Sequence, residues 1–334
     1  MTLKVGLVGA GGFGSIHLLG FSKNSHCELV AIASRTEEHA NALSEKFNIP
    51  KIYFGDEGWL KMIENENLDV VSICTPNFLH APITLKALEN NCHVLCEKPI
   101  ALNREELDQM ESLLNTKDLI FFTSFQKRYN PTFKLIKNIL NDGILGDITL
   151  VRYYFSHYGP YKSWRALSKE KWFFDSQKAG GGVLLDLGVH CIDILRSLFG
   201  DYDKVIGFDS NTTCIEMEDE DNCGVLFRFK DKSTGFISVS WCNEPSETID
   251  IFGTNGFIKV DLSGRNSPSF GPKKLKKNQK IKKLIKFKPR NEFAQDKLID
   301  HFINCIQSGR QESPNFDDGR KAVEFVLEAY SFKK

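Results

Sequence analysis

The 334-residue chain balances 43 Lys+Arg against 43 Asp+Glu, so no overall field draws it to nucleic acid or to a membrane surface. Hydrophobic residues at 41% and charged residues at 26% are ordinary globular composition, and the length fits two domains. No apolar run approaches the ~18 residues of a membrane span. Met1-Thr2-Leu3-Lys4 leaves no room for a cleavable signal, and nine scattered cysteines without a Cys-x-x-Cys pair suit reduced thiols in a cytoplasm.

Lys4 to Val8 reads as a short buried strand, followed directly by Gly9-Ala10-Gly11-Gly12-Phe13-Gly14. Ile16, Leu18, Leu19 and Phe21 then mark an amphipathic helix. Strand, glycine turn and helix are the context a dinucleotide-binding fingerprint requires. Gly9 allows the tight turn, Gly11 lets the backbone approach a pyrophosphate, and Gly14 lets the helix pack close to the strand. The pyrophosphate would take the helix N-terminal N–H groups. The second strand, Glu28 to Ala33, ends at Ser34-Arg35, where the fingerprint usually carries an acid for the ribose hydroxyl. A serine and a guanidinium tolerate a 2′-phosphate that a carboxylate would repel, so NADP is favoured over NAD. The alternative is an Arg35 that only stacks on adenine.

Helix and strand go on alternating as a doubly wound sheet demands: a helix from Thr36 to Phe47, a strand at Ile52-Tyr53-Phe54, a helix from Trp59 to Glu64. Val70 to Cys74 is a buried strand ending at Thr75-Pro76-Asn77 and leading to His80, polar groups placed to meet the nicotinamide ribose. A helix through Leu85 to Asn90 precedes the strand His93-Val94-Leu95, which ends at Cys96-Glu97-Lys98-Pro99. Ligands of open parallel sheets bind beyond the carboxyl ends of the strands. A lysine there reaches a substrate oxygen, and Glu97 and Lys98 join the cofactor-binding set. An X–Pro bond is the one inexpensive place for a cis peptide, and Lys98-Pro99 is expected to be cis. Cys92, His93 and Cys96 do not make a metal site, because strand alternation points neighbours to opposite faces. Asn103 and Glu106 form a capping box for a helix through Leu114, and Leu119 to Thr123 closes the first domain, residues 1–124.

Taken together, Gly9/Gly11/Gly14, Thr75-Pro76-Asn77 and Glu97-Lys98-Pro99 resemble the Gfo/Idh/MocA family of oxidoreductases, over essentially the whole chain. The resemblance implies a Rossmann domain and an α+β domain whose open, mostly antiparallel sheet carries substrate and oligomer contacts, here residues 125–334. It implies hydride transfer between nicotinamide and a secondary alcohol or ketone of a sugar, cyclitol or sugar derivative. It also implies that Phe125 to Pro131 runs beside the active site, so that Arg128 and Tyr129 touch substrate or pack a domain interface.

Gly146 to Phe155 reads as a long strand, and Tyr161, Trp164, Arg165, Trp172 and Phe173 as an aromatic loop that can pack on sugar C–H surfaces, with Trp164 the substrate-contact candidate. Lys178 to Gly182 opens a helix from Val183 to Phe199. Asp186, His190 and Asp193 lie on one face of it and Leu187, Cys191, Ile194 and Leu198 on a buried stripe opposite. The family matches this Asp-x-x-x-His segment with catalytic residues. His190 is then the base for the hydroxyl proton, Asp186 orients it or binds a hydroxyl, and Lys98, arriving from the other domain, stabilises the alkoxide. The competing assignment makes Lys98 the base.

Residues 205–210, 224–230, 234–241, 247–253 and 256–261 read as strands without intervening helices, hence an antiparallel or mixed sheet. Phe227, Phe229, Ile237, Val239 and Trp241 are its candidates for a homodimer or homotetramer contact. Nine lysines between Lys273 and Lys288 read as a solvated hairpin or mobile loop. Two amphipathic helices, Phe293 to Gln307 and Asp318 to Phe332, finish the chain and are expected to pack across both domains. A non-catalytic dinucleotide- or sugar-binding regulator and an NAD-dependent glycosidase are the alternative functions. Retention of Lys98, Asp186 and His190 argues against the first, and the lack of an export signal against the second.

Overall fold

The computed structural model describes residues 2–162, 172–213, 217–272, 275, 277–286 and 294–333. Six strands, β1 (Leu3–Val8), β2 (Cys27–Ser34), β3 (Lys51–Phe54), β4 (Val70–Ile73), β5 (His93–Cys96) and β6 (Phe121–Thr123), alternate with α1 (Gly12–Lys23), α2 (Glu37–Phe47), α3 (Gly58–Asn65), α4 (His80–Glu89) and α5 (Arg104–Leu114). They form one parallel sheet in the order β3-β2-β1-β4-β5-β6. All four residues of β4, Val-Val-Ser-Ile, are buried, as expected of a strand covered by helices on both faces. Asn103 caps α5 by accepting from the Glu106 N–H, and Glu106 returns the bond to the Leu102 N–H. In α1 the buried positions are Gly14, His17, Leu18, Gly20 and Phe21, while Leu19, expected in the apolar stripe, is 47% exposed.

Beyond residue 126 come α6 (Pro131–Asn141), β7 (Ile148–Ser156) and two one-turn helices, α7 (Gly159–Lys162) and α8 (Ser176–Ala179). A π-helical segment, Leu184–Gly188, runs into α9 (Val189–Phe199). Then follow β8 (Tyr202–Asn211), β9 (Asn222–Phe229), β10 (Thr234–Ser240), β11 (Ser246–Gly253), β12 (Gly256–Asp261), β13 (Ser269–Gly271), α10 (Gln279–Lys286), α11 (Gln295–Ser308) and α12 (Phe316–Tyr330). The second sheet has the order β13-β12-β11-β7-β10-β9-β8 and is antiparallel except between β7 and β10.

Its two faces differ. Val225, Phe227, Ile237, Tyr153, Ile249 and Val260 form a buried inner face, with Phe325 of α12 and Phe229 each packed edge-on at 5.0 Å from the Phe227 ring. The five residues expected to meet a second subunit, Phe227, Phe229, Ile237, Val239 and Trp241, all belong to this core and are at most 1% exposed. Alternation had identified a row of apolar side chains without telling which way the row points. The opposite face is mixed. Leu226, 38% exposed, pairs with Phe236, and Arg152 beside them bonds Asp250 at 2.6 Å.

The described part of the basic run corrects another expectation. Residues 279–286 form α10, with Ile281 and Leu284 buried and Lys280 paired to Asp142. Helical spacing of two apolar residues within the lysines produces a docked amphipathic helix rather than a solvated hairpin. Contacts divide the chain into Met1–Gln126 with Phe293–Val323, and Lys127–Glu292 with Glu324–Lys334. The first unit thus includes α11, which packs on α1. Among the described residues no helix is long and apolar enough to cross a membrane.

Candidate active site

In the first unit the three motifs stand at the carboxyl ends of β1, β4 and β5, adjacent strands of one sheet. The glycines have separate reasons. Gly9 has φ +104° and a side chain there would meet the Cys74 carbonyl at 2.3 Å, while a Cβ on Gly14 would sit 2.0 Å from the Gly9 carbonyl. By contrast nothing lies within 4 Å of where Gly11 and Gly12 would carry one. This open backbone starts α1, which has no side-chain cap and no acid in its first turn. Exposed N–H groups at the positive end of a helix dipole, with space before them, fit the phosphates of a dinucleotide. Phe13 is half-exposed beside them, and Ser34 and Arg35 sit at the end of β2, the arginine exposed.

Thr75, Pro76 and Asn77 are half-buried, and the Thr75 hydroxyl is buried without a hydrogen-bond partner. His80, expected at the ribose, is instead buried with its nitrogens 2.6 Å from the Pro99 carbonyl and 2.8 Å from the Thr75 carbonyl. Its ring therefore lies between the loops after β4 and β5, donating to one carbonyl when neutral and to both when protonated. Burial lowers its proton affinity below the ordinary histidine value, although the two carbonyls and Glu97 pull the other way. Glu97 is likewise turned inward, 2.9 Å from His17 Nε2, whereas Lys98 is half-exposed. The Lys98-Pro99 bond is cis, as expected. Cys92, His93 and Cys96 are engaged separately: the two thiols donate to the Leu68 and Glu97 carbonyls, and His93 Nδ1 accepts from the Ile120 N–H.

In the second unit, Asp186 falls inside the π-helical segment and His190 at the first turn of α9. π-Segments recur at functional sites because the extra residue per turn re-aims side chains. The Trp241 indole N–H donates to Asp186 Oδ2 at 3.1 Å, so the tryptophan expected at a subunit contact orients the carboxylate. The opposite stripe is not distinct here. Every residue from Val189 to Arg196 is buried, so helix periodicity alone could not separate functional from packing positions. Arg128 Nε donates to both oxygens of the buried Asp193, at 2.9 and 3.0 Å, a partly buried ion pair within the unit. Tyr129 is half-buried in the same 3₁₀ turn. Beside it Lys127, which the sequence did not single out, is fixed by Glu247 at 2.7 Å, and Tyr153 donates to the same carboxylate. Tyr161 donates to Asp221, and Trp172 stacks on Phe173, while Trp164 and Arg165 lie outside the described residues.

Residues 3–125 match the oxidoreductase family with an NAD-binding Rossmann fold, and residues 133–259 match the GFO/IDH/MocA C-terminal domain. The chain is 24% identical to the myo-inositol 2-dehydrogenase of Thermotoga maritima, covering 99% of this chain and 96% of that one. It is 26% identical to the trans-1,2-dihydrobenzene-1,2-diol dehydrogenase of Mus musculus, covering 94% and 91%. Among solved structures, levoglucosan dehydrogenase in complex with NADH and levoglucosan has a TM-score of 0.83 at 24% identity, covering 100% of this chain and 98% of that one. The WlbA dehydrogenase of Bordetella pertussis, in complex with NADH and UDP-GlcNAcA, has a TM-score of 0.85 at 21% identity, covering 99% and 95%. The chain belongs to the Gfo/Idh/MocA family of oxidoreductases.

Proposed function

From that membership we propose that the protein oxidises a secondary alcohol of a sugar, cyclitol or sugar derivative, or reduces the corresponding ketone. The observation that carries this reading is the gathering of the glycine turn, Thr75-Asn77 and Lys98 at neighbouring strand ends of one parallel sheet. The names of relatives that act on inositol and levoglucosan support the substrate class. Gly9, Gly11, Gly12, Phe13 and Gly14 would hold the pyrophosphate of a nicotinamide dinucleotide, Ser34 and Arg35 the adenosine ribose, and Thr75 to Asn77 with Lys98 the nicotinamide end. When bound, that group supplies the hydride acceptor or donor. His190 takes the hydroxyl proton, Lys98 places a positive charge against the oxygen as it becomes an alkoxide, and Asp186, oriented by Trp241, holds a substrate hydroxyl.

With no acid at the end of β2, NADP binds at least as well as NAD, and the Arg35 contact contributes roughly 1.5–3 kcal/mol toward the 2′-phosphate. The outward face around Leu226 and Phe236 joins a second copy of the chain in a dimer or tetramer, and the scattered thiols suit a cytoplasmic enzyme. Reduction of NAD and NADP should be followed over myo-inositol, levoglucosan and methyl glucoside. Lys98→Ala and His190→Ala are each expected to lower kcat about a hundredfold while retaining dinucleotide binding, and Asp186→Asn to lose less. Near-normal turnover in His190→Ala, with an unchanged pH limb near neutrality, would remove histidine as the base. A tenfold NAD preference that survives Arg35→Ala would remove the NADP assignment.

A further inference from the structure

One buried side chain links α1 to β4, to the residues after β5 and β6, and to α11. His17 follows the glycine turn by one helical turn and is 0% exposed, at a position that apolar periodicity reads as core. Its Nδ1 is 2.8 Å from the Ser72 hydroxyl of β4, and its Nε2 is 2.9 Å from Glu97 Oε1 beyond β5. The side-chain amide of Gln295, from α11, lies 2.8 Å from the same Nε2 and 3.1 Å from the Ser124 hydroxyl beyond β6. The strand carrying Glu97 continues its ladder through this residue, whose N–H donates to the Ile73 carbonyl at 2.9 Å.

A buried carboxylate is costly unless it is paired and hydrogen-bonded. Burial alone would raise the proton affinity of Glu97. The bond and charge of His17, the Ser124 hydroxyl and the Lys98 ammonium together outweigh it and hold the group ionised, below the usual carboxylate range. Glu97 is thus fixed at both its backbone and its carboxylate, and Lys98 is the next residue. We propose that His17 is a positioning residue: by anchoring Glu97 it sets the placement and charge environment of Lys98, and so couples the dinucleotide-binding helix to the lysine. This rests on Lys98 having the role proposed above. A histidine that merely fills the core would be replaceable by any side chain of similar volume without altering the lysine.

The test uses the reactivity of Lys98 as well as turnover. In the apo protein, competitive acetylation with mass-spectrometric readout should show Lys98 in Glu97→Gln labelled at least threefold faster at fixed pH, because an opposite charge beside the ammonium has gone. His17→Ala should change the Lys98 rate at least threefold, with Lys86 as the unchanged internal reference. His17→Gln, which can still donate to Glu97, should recover most of the wild-type rate. With a substrate turned over in the panel above, His17→Ala should lower kcat tenfold or more while the Kd for NAD moves less than threefold, and adding Glu97→Gln should cost little more. Ser72→Ala, which leaves the ring in place, replaces His17→Ala if that variant does not fold, and should give the same effects in smaller measure. Unchanged Lys98 labelling in folded variants, or His17→Gln as impaired as His17→Ala, overturns the inference. If Lys98→Ala keeps its activity, the assignment of Lys98 fails. If Lys98→Ala is inactive and the His17 variants are normal, only the positioning role fails.

Discussion

The two sheets use opposite designs. In the parallel sheet, adjacent residues on a central strand are all buried, and chemistry is confined to the loops at the carboxyl strand ends. In the second sheet burial alternates along the strand, so β9 reads buried and exposed in turn through Val225, Leu226, Phe227, Arg228 and Phe229. Its candidate functional groups lie instead on the preceding helical segment, Asp186 and His190, with Trp241 just past β10 reaching Asp186. A sheet covered on both faces offers only its ends to a ligand, whereas one covered on a single face leaves the other for a partner.

The sharpest way to break the contrast is within single strands. On β9, Phe227→Ala should destabilise by about 3–5 kcal/mol, while Leu226→Ala changes subunit unfolding by no more than ~0.5 kcal/mol. On β4, Val70→Ala and Val71→Ala should each cost about 2 kcal/mol despite being neighbours. Denaturant unfolding measures all four, and a neutral Val71→Ala or a costly Leu226→Ala would erase the distinction. The next effect is on assembly. Leu226→Asp combined with Phe236→Asp should weaken self-association at least tenfold, about 1.4 kcal/mol, by sedimentation. A wild-type protein that is monomeric at micromolar concentration would contradict the docking of a second copy on this face.

The smallest effect comes from the sheet ends. His80 binds a proton less readily in the folded protein than an ordinary histidine does, because burial outweighs its carbonyl partners. The unfolded chain therefore takes up the proton first. The stability it contributes is complete above about pH 6.5 and is lost as pH falls below that value toward the folded one. Thermal midpoints between about pH 7.5 and about pH 5.5 should fall more steeply in wild type than in His80→Asn. Equal slopes would deny that burial keeps this ring neutral.

The sequence by itself determined the order of elements from β1 to β6, the glycine turn, the capped α5 and the placement of Lys98 at a strand end, because these follow from local periodicity and punctuation. The positions of Ser34, Arg35 and Thr75 to Asn77 at strand ends were legible for the same reason. Only the tertiary structure decided which alternate row of the second sheet faces inward, since alternation carries no sign. It also decided that residues 279–286 dock as a helix and that the Val189–Arg196 stretch is enclosed on every side. His17 illustrates the boundary most clearly. Its partner Glu97 is 80 residues away, and Gln295 278 residues away. No local pattern distinguishes a histidine in an apolar stripe that fills space from one that anchors a buried carboxylate. Only packing brings the charge beside it.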